Sequence, residues 1–85
     1  MSNVNVCDDQ WHALPDDKFT WVNNGDKECN VTPHSHKTWP FADPSYHVPA
    51  KRTLPGHVRP DLPNGTYTYD VDCCPRTNPR NVLVP

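Results

Sequence analysis

The sequence predicts an all-β fold with a long irregular connection, and three observations lead to this class. Helical periodicity is almost absent, because 11 prolines interrupt nearly every stretch in which a helix could form. Residues 19–23 and 66–72 alternate between apolar and polar side chains, as strands with one buried face do. Seven of the prolines fall between residues 33 and 63, where no such alternation persists.

The N-terminal part of the chain predicts three strands. Residues 3–6 alternate polar and apolar side chains and predict a first strand that ends at Cys7. In the second strand, positions 19, 21 and 23 face one side and positions 20 and 22 face the other. Turn-forming residues follow at 24–26, so residues 29–32 are predicted to return as the partner strand of a hairpin.

The C-terminal part predicts two further strands after the connection. Residues 33–63 are expected to be ordered but irregular, since loops of this length in compact domains are usually functional, disordered or held by crosslinks. A turn at residues 63–65 precedes residues 66–72, in which Tyr67, Tyr69 and Val71 share one face. Residues 81–84 form the last predicted strand.

Composition predicts one folded domain, residues 1–85, with a thin core. A chain of 85 residues buries only about 60–65% of the surface that its unfolded form exposes. The net charge of −2 is too small to keep the chain unfolded, and the Trp, Tyr and Phe residues can anchor a core. The near-neutral charge also argues against nucleic acid as a partner, because phosphate binding needs clustered Lys and Arg.

The four cysteines indicate two disulfides. An even number of cysteines in so short a chain is typical of crosslinked secreted domains, and four cysteines allow three pairings. We therefore expect an extracellular, periplasmic or cell-surface protein whose targeting signal is absent or already removed, with a cytoplasmic location as the alternative. No stretch is long and apolar enough to predict a membrane span. Asn30 and Asn64 begin N-glycosylation patterns that ordinary strand and turn polarity also explains.

Three phrases, residues 19–24 (FTWVNN), 65–69 (GTYTY) and 81–85 (NVLVP), resemble the cupredoxin family. The resemblance covers less than half of the chain and implies a small Greek-key β-sandwich. In cupredoxins a ligand histidine follows the first phrase, and a cysteine, a histidine and a methionine follow the second. The matching positions here hold Cys29, Val71 and Cys74, and the only methionine is Met1. The resemblance therefore implies a cupredoxin fold that has lost its copper ligands.

The same resemblance implies a pairing for the cysteines. The two ligand histidines of the family converge in space, so Cys29 and Cys74 at their positions are expected to form a disulfide in place of the metal. Cys7 is then expected to pair with Cys73. Adjacent cysteines on a strand point to opposite faces, so each can reach a different partner.

His34 and His36 are the candidate metal ligands. Residues two apart in an extended segment place both imidazoles on one side, a spacing that copper and zinc sites can use. Another histidine or a cysteine would have to complete such a copper or zinc site, and solvated loop histidines with no cofactor are the alternative. Zinc held by the cysteines alone is disfavoured by their spacing, since zinc sites usually draw on pairs two to four residues apart.

Trp39, Phe41 and Tyr46 are the candidate binding surface. They lie in the proline-rich connection, whose restricted backbone loses little entropy on binding. The alternative is that this connection covers the open side of the sandwich as a lid.

These observations predict a non-catalytic, disulfide-stabilised interaction or assembly module that binds a protein partner or itself. The paired carboxylates at residues 8–9 and 16–17 diverge in direction, and three glycines form no phosphate-binding loop, so no enzyme activity is predicted. The alternative is a copper- or zinc-binding electron-transfer protein with a non-standard histidine and cysteine site.

Overall fold

Strands dominate the computed structural model, which describes residues 2–74 and 79–85. In chain order the strands are β1 Ser2–Asn5, β2 Gln10–His12, β3 Lys18–Asn23, β4 Cys29–Thr32, β5 Tyr46–Val48, β6 Arg52–His57, β7 Gly65–Val71 and β8 Arg80–Val84. A short 3-10 helix, His36–Thr38, lies between β4 and β5. The prediction of an all-β fold is confirmed. No helix in the described ranges is long and apolar enough to cross a membrane.

The strands form two sheets that share one hydrophobic core. One sheet has the order β1-β3-β6, and the other has the order β2-β8-β7-β4-β5. Strand β1 runs parallel to β3 and β2 runs parallel to β8, while the remaining neighbours are antiparallel. Buried side chains from both sheets pack into a single cluster, so the molecule is a β-sandwich.

The two strands with the strongest alternation supply the centre of this core. Strand β3 buries positions 19, 21 and 23, and β7 buries positions 67, 69 and 71, as predicted. The Trp21 side chain is fully buried, and its ring centroid lies 5.0 Å from that of Phe19, 5.5 Å from Phe41 and 5.6 Å from Tyr69. Aromatic rings with a large apolar area thus compensate for the small number of aliphatic residues.

The predicted hairpin between residues 19–23 and 29–32 is wrong. Strand β3 pairs with β1 and β6, whereas β4 pairs with β5 and β7 in the other sheet. The turn that follows Asn23 carries the chain from one sheet to the other. Because β3 and β4 both have buried inward side chains, this crossing lets Trp21 and Val31 contribute to the same core from opposite sides.

The connection between residues 33 and 63 is less irregular than predicted, because it contains β5 and β6. Strand β6 is an edge strand, where Pro55 can lack a backbone N–H without interrupting a ladder on the outer side. The next residue, Gly56, lies directly under the Phe19 ring, which leaves no room for a Cβ atom. The sequence pattern also missed the short strand β2.

Candidate functional site

All four cysteines meet at one end of the sandwich. Cys7 lies in the turn after β1, Cys29 begins β4, and Cys73 and Cys74 follow the end of β7. The structure joins Cys7 to Cys74 and Cys29 to Cys73, with Cα–Cα distances of 5.6 and 5.0 Å. The two predicted disulfides are present, but the partners are exchanged relative to the expected pairing of Cys29 with Cys74 and Cys7 with Cys73.

The register between β4 and β7 explains the exchange of partners. Val31 faces Val71 across the antiparallel pair, and two residues beyond this point Cys29 faces Cys73. Asn30 and Asp72 lie between them, and the Asn30 N–H donates to the Asp72 carboxylate at 2.8 Å. The family spacing had placed Cys74 at this position, one residue too far along the chain.

The two disulfides contact each other. The Sγ atoms of Cys73 and Cys74 are 3.6 Å apart, and the Sγ atoms of Cys7, Cys73 and Cys74 all lie within 4.8 Å of one another. Cys29 is 1% exposed, whereas Cys7 is exposed to solvent. We call these four residues the sulfur cluster. It extends from the protein surface into the core.

Asn23 organises the turn beside the sulfur cluster. Its side chain is 3% exposed, and its Nδ2 donates to the carbonyl oxygens of Lys27, Val48 and Pro49 at 2.8, 3.1 and 3.2 Å. Its Oδ1 accepts the N–H of Gly25 at 3.0 Å. The alternation of β3 predicted that Asn23 points inward. A polar side chain at an inward position indicates that it hydrogen-bonds to buried backbone groups, as Asn23 does here.

An open cleft of about 480 Å³ lies between this turn and the sulfur cluster. The turn after β1, the turn after β3 and the Cys29–Cys73 disulfide form its walls. Lys27 and Asp26 lie at its wall and are both exposed. Solvent therefore reaches at least part of the cluster.

Arg80 supports the other side of the cluster and was missed by the sequence pattern. Its side chain is fully buried, and Nη1 donates to the Cys7 carbonyl oxygen and to the Asp9 carboxylate, both at 2.7 Å. The neighbouring Tyr69 hydroxyl accepts a hydrogen bond from Trp11 Nε1 at 3.0 Å. Burial raises the pKa of Tyr69 to about 12, against the opposing effects of Trp11 and of the Arg80 charge.

The two candidate metal ligands, His34 and His36, belong to no group of three or more metal-binding side chains in the part of the chain that the structure describes. His34 Nδ1 lies 3.1 Å from Asp70 Oδ1, and His36 is exposed on the 3-10 helix. Among residues 2–74 and 79–85, the sulfur cluster supplies the only group of three or more metal-binding side chains whose ligand atoms lie within 4.8 Å of one another. Metal binding at these histidines therefore stays a prediction.

A second set of polar side chains is ordered on the outer face of the β7-β4-β5 part of the sheet. His47 Nδ1 lies 2.7 Å from Asn30 Oδ1, and His47 Nε2 lies 3.1 Å from the Glu28 carboxylate. Hydrogen bonds from the Asn30 backbone and side-chain amides hold the pKa of Asp72 below its usual range. We call this set the polar face; its members are Glu28, Asn30, His34, His47, Asp70 and Asp72.

The predicted aromatic contact surface is wrong, because all three of its residues are buried. Trp39, Phe41 and Tyr46 are 7%, 1% and 5% exposed, and the Trp39 and Phe41 ring centroids are 4.9 Å apart. Burial raises the pKa of Tyr46 well above its ordinary value, and the Tyr46 hydroxyl accepts the His57 N–H at 3.2 Å. A thin sandwich needs this apolar area for its core, which agrees with the alternative that the connection covers the sheets.

Comparison with known proteins identifies the fold. No protein-family profile and no curated protein sequence matches this chain. Solved structures of amicyanin are similar to this chain. A methionine-to-alanine variant in the Cu(I) form matches at 16% identity with a TM-score of 0.66. An oxidised methionine-to-lysine variant matches at 15% identity with a TM-score of 0.65. Each similarity covers 98% of this chain and 80% of the amicyanin chain. The chain therefore has a cupredoxin-like β-sandwich fold.

The residues at the cysteine end do not fit the blue-copper site of that fold class. Such a site needs two imidazoles and a thiolate around one ion. Here the structure joins all four cysteines in disulfides, and no imidazole in the described ranges joins the sulfur cluster within 4.8 Å. At 15–16% identity, the similarity to amicyanin defines the fold and leaves the function open.

Proposed function

We propose that this protein is a non-catalytic, disulfide-stabilised interaction module that acts outside the cell, in the periplasm or at a cell surface. The observation that carries the proposal is the pairing of all four cysteines at one end of the sandwich. Two of them, Cys29 and Cys74, stand at the positions that the resemblance matches to ligand histidines of cupredoxins. A cysteine in a disulfide offers no thiolate for a blue-copper ion or for nucleophilic attack. Two disulfides in so short a chain also fit an oxidising compartment.

The disulfides supply stability that the core alone supplies poorly. They link residues 67 and 44 positions apart in sequence, for which the chain-entropy treatment gives roughly 4 kcal/mol each. Because the two closed loops overlap, the contributions are not additive. A scaffold held in this way can keep a surface ordered without a metal ion.

The polar face is our candidate contact surface, in place of the aromatic residues of the connection. Its side chains are already fixed by hydrogen bonds while they remain accessible, so little rotamer entropy is lost when a partner binds. Asp70, Asp72 and Glu28 give it an acidic character. A protein partner with exposed Lys or Arg residues is the complementary surface.

The alternative function, copper or zinc binding with electron transfer through His34 and His36, has weaker support. His34 faces Asp70, and neither histidine joins a third ligand in the described residues. We therefore place the interaction module first.

Metal analysis of the purified, oxidised protein tests the non-catalytic part of the proposal. We expect less than about 0.1 equivalent of copper or zinc per chain, since the sulfur atoms are occupied and disulfide sulfur is a poor ligand. A stoichiometric transition metal in the oxidised protein would overturn the proposal and favour the electron-transfer alternative.

A charge-reversal comparison tests the contact surface. The bait Asp70→Lys/Asp72→Lys is compared with the wild-type bait in capture from the medium or envelope of the source cells. Asp26→Lys/Asp61→Lys is the matched control, because it makes the same charge change at exposed positions that are not members of the polar face. We expect one stoichiometric partner, retained by the wild type and the control and lost from the first variant. Retention by all three baits would exclude the polar face as the contact.

A further inference from the structure

We propose that the fully reduced protein binds one thiophilic d10 metal ion, represented by Zn²⁺, through the thiolates of Cys7, Cys29, Cys73 and Cys74. The oxidised protein, with two disulfides, does not bind it. The sulfur cluster is thus a metal site that opens on reduction. The inference does not depend on the proposed interaction function.

The positions of the sulfur atoms carry the inference. A tetrahedral zinc ion bound to thiolates at about 2.3 Å separates neighbouring sulfurs by about 3.8 Å. The Sγ atoms of Cys73 and Cys74, which belong to different disulfides, are already 3.6 Å apart. Cys7 Sγ lies within 4.8 Å of both, and Cys29 is bonded to Cys73. Small movements after the two bonds break are enough to place four sulfurs around one ion.

The spacing rule failed to predict this site because three separate segments supply the ligands. Zinc sites in which one knuckle provides two ligands need cysteines two to four residues apart. Here the chain bends after β7 ends at Val71, so the adjacent Cys73 and Cys74 both reach the same cluster. The turn after β1 brings Cys7, and the β4–β7 register brings Cys29.

Contacts other than the disulfides hold these segments in place. The Asn23 side chain links the turn before Cys29 to the end of β5 through three backbone carbonyl oxygens. Arg80 Nη1 donates to the Cys7 carbonyl oxygen at 2.7 Å. None of these hydrogen bonds involves a sulfur atom, so reduction removes none of their donors or acceptors and the ligands start close together. Binding then requires less ordering of the chain than in an unfolded peptide.

The reduced, metal-loaded site would carry a net negative charge. Four thiolates and one Zn²⁺ ion carry a net charge of about −2, counted from the ligand charges. Arg80 is fully buried beside Cys7, and its Nε and Nη2 atoms have no hydrogen-bond partner within the described part of the chain. Nη1 also pairs with the Asp9 carboxylate at 2.7 Å, so Asp9 already offsets part of the Arg80 charge.

The reduction step balances with an external dithiol as the reductant. Each disulfide accepts two electrons and two protons, its S–S bond breaks to give two thiols, and one dithiol is oxidised to its own disulfide. Two dithiols therefore reduce the two disulfides. The ion then displaces the thiol protons on binding. The open cleft of about 480 Å³, lined by Cys7, Cys29 and Cys73, gives both reagents access.

Cobalt titration of the reduced protein tests the proposal. The protein is reduced anaerobically with an excess of a dithiol, and the dithiol is removed. Co²⁺ is then added as a spectroscopic probe and later displaced with Zn²⁺. We expect one equivalent per chain, sulfur-to-cobalt charge-transfer bands, tetrahedral d–d bands and a native near-ultraviolet circular dichroism spectrum from the buried tryptophans. The oxidised protein should show none of the cobalt bands.

Two variants separate this site from the histidines. Cys29→Ala, which places no hydroxyl at this buried position, should weaken Zn²⁺ binding by more than about 100-fold. Changes to residues that only support metal ligands usually cost roughly 10–100-fold. His34→Ala/His36→Ala should leave the affinity and the spectrum unchanged. Absence of binding to the reduced chain or an unchanged affinity in Cys29→Ala would overturn the proposal. Equal affinity in concentrated urea would also overturn it, because a site built by the fold requires the fold. None of these outcomes bears on capture of a partner by the oxidised protein.

Discussion

The aromatic centre of the sandwich and its cysteine end are stabilised in different ways. In the centre, Trp21 is fully buried and contacts aromatic rings from β2, β5 and β7. At the cysteine end, Cys7 is exposed, and covalent bonds together with side-chain to carbonyl hydrogen bonds hold the segments. The centre therefore depends on apolar burial, while the end depends on specific pairings.

This difference shows how a cupredoxin-like sandwich can form without the residues that bind copper. Apolar packing in the centre sets which faces of β3 and β7 point inward, whatever the chemistry at the end. Once those faces are fixed, the β4–β7 register decides which side chains meet beyond the strands. Cysteines at those positions form disulfides. The residues at this end of the sandwich can therefore change from metal ligands to crosslinks while the fold stays the same.

The largest expected effect comes from breaking the aromatic centre. Trp21→Ala should lower the free energy of unfolding by about 3–5 kcal/mol, because it removes the most central side chain and leaves a cavity. Urea unfolding monitored by far-ultraviolet circular dichroism measures the change. Trp21→Phe is the matched control and should cost much less, since it keeps a ring and removes a buried Nε1–H that has no partner among the described residues. Equal losses of unfolding free energy in both variants would contradict the explanation that ring packing at Trp21 stabilises the fold.

Removing one disulfide at a time should have the next largest effect. Cys7→Ala/Cys74→Ala and Cys29→Ala/Cys73→Ala should each lower the free energy of unfolding by roughly 2–4 kcal/mol. Alanine avoids placing a hydroxyl at the buried Cys29 position. In each variant the remaining pair should stay oxidised, which thiol titration reports. Free thiols in either variant would mean that the native partners are different.

Loss of the Asn23 side chain should have an intermediate effect. Asn23→Ala leaves the carbonyl oxygens of Lys27, Val48 and Pro49 without this donor, so we expect a loss of about 2–3 kcal/mol. The exposed neighbour Asn24→Ala is the control and should stay within about 0.5 kcal/mol of the wild type. Chemical denaturation of the two variants measures both values. A small effect of Asn23→Ala would show that the cleft turn is held mainly by the Cys29–Cys73 disulfide.

The smallest effect is expected on the polar face, as a function of pH. Asn30 holds the pKa of Asp72 below its usual value, so the folded state favours the carboxylate. Its stabilisation is complete above the ordinary Asp pKa of about 3.9 and is lost as the pH falls through the lower folded pKa. Asp72→Asn should therefore be less stable than the wild type near neutral pH by less than about 1 kcal/mol. The unfolding free energies of the wild type and Asp72→Asn, measured by denaturation from pH 7 to 2, should converge at the acid end. A difference that stays constant over this range would show that the Asp72 charge is not its cause.

The sequence predicted the fold where local pattern and burial agree. Alternation identified the buried faces of β3 and β7 because one side chain in two enters the core. It failed after Asn24, where turn residues show that the chain reverses but not which sheet it joins. That choice depends on the Asn23 side chain and on core packing, which no local window contains.

The candidate site was predicted in its members but not in its arrangement. The even number of cysteines indicated two crosslinks, while the pairing followed from the register of β4 on β7, which the family spacing misplaced by one residue. Trp39, Phe41 and Tyr46 were predicted to form a binding surface because the restricted backbone of the connection loses little entropy on binding. A thin core needs their apolar area, so they are buried instead. The sequence did not predict the role of Arg80, because a buried arginine is recognised only from the groups that it contacts in the structure.

The most direct test of the central claim is the intact mass of the purified protein under native, non-reducing conditions, followed by fragmentation between Cys73 and Cys74. Two disulfides make the chain four hydrogens lighter than its reduced form. We predict this mass with no metal adduct, with Cys7 linked to Cys74 and Cys29 linked to Cys73. A mass of the fully reduced chain, or one that includes a copper or zinc ion, would contradict the disulfide-stabilised module.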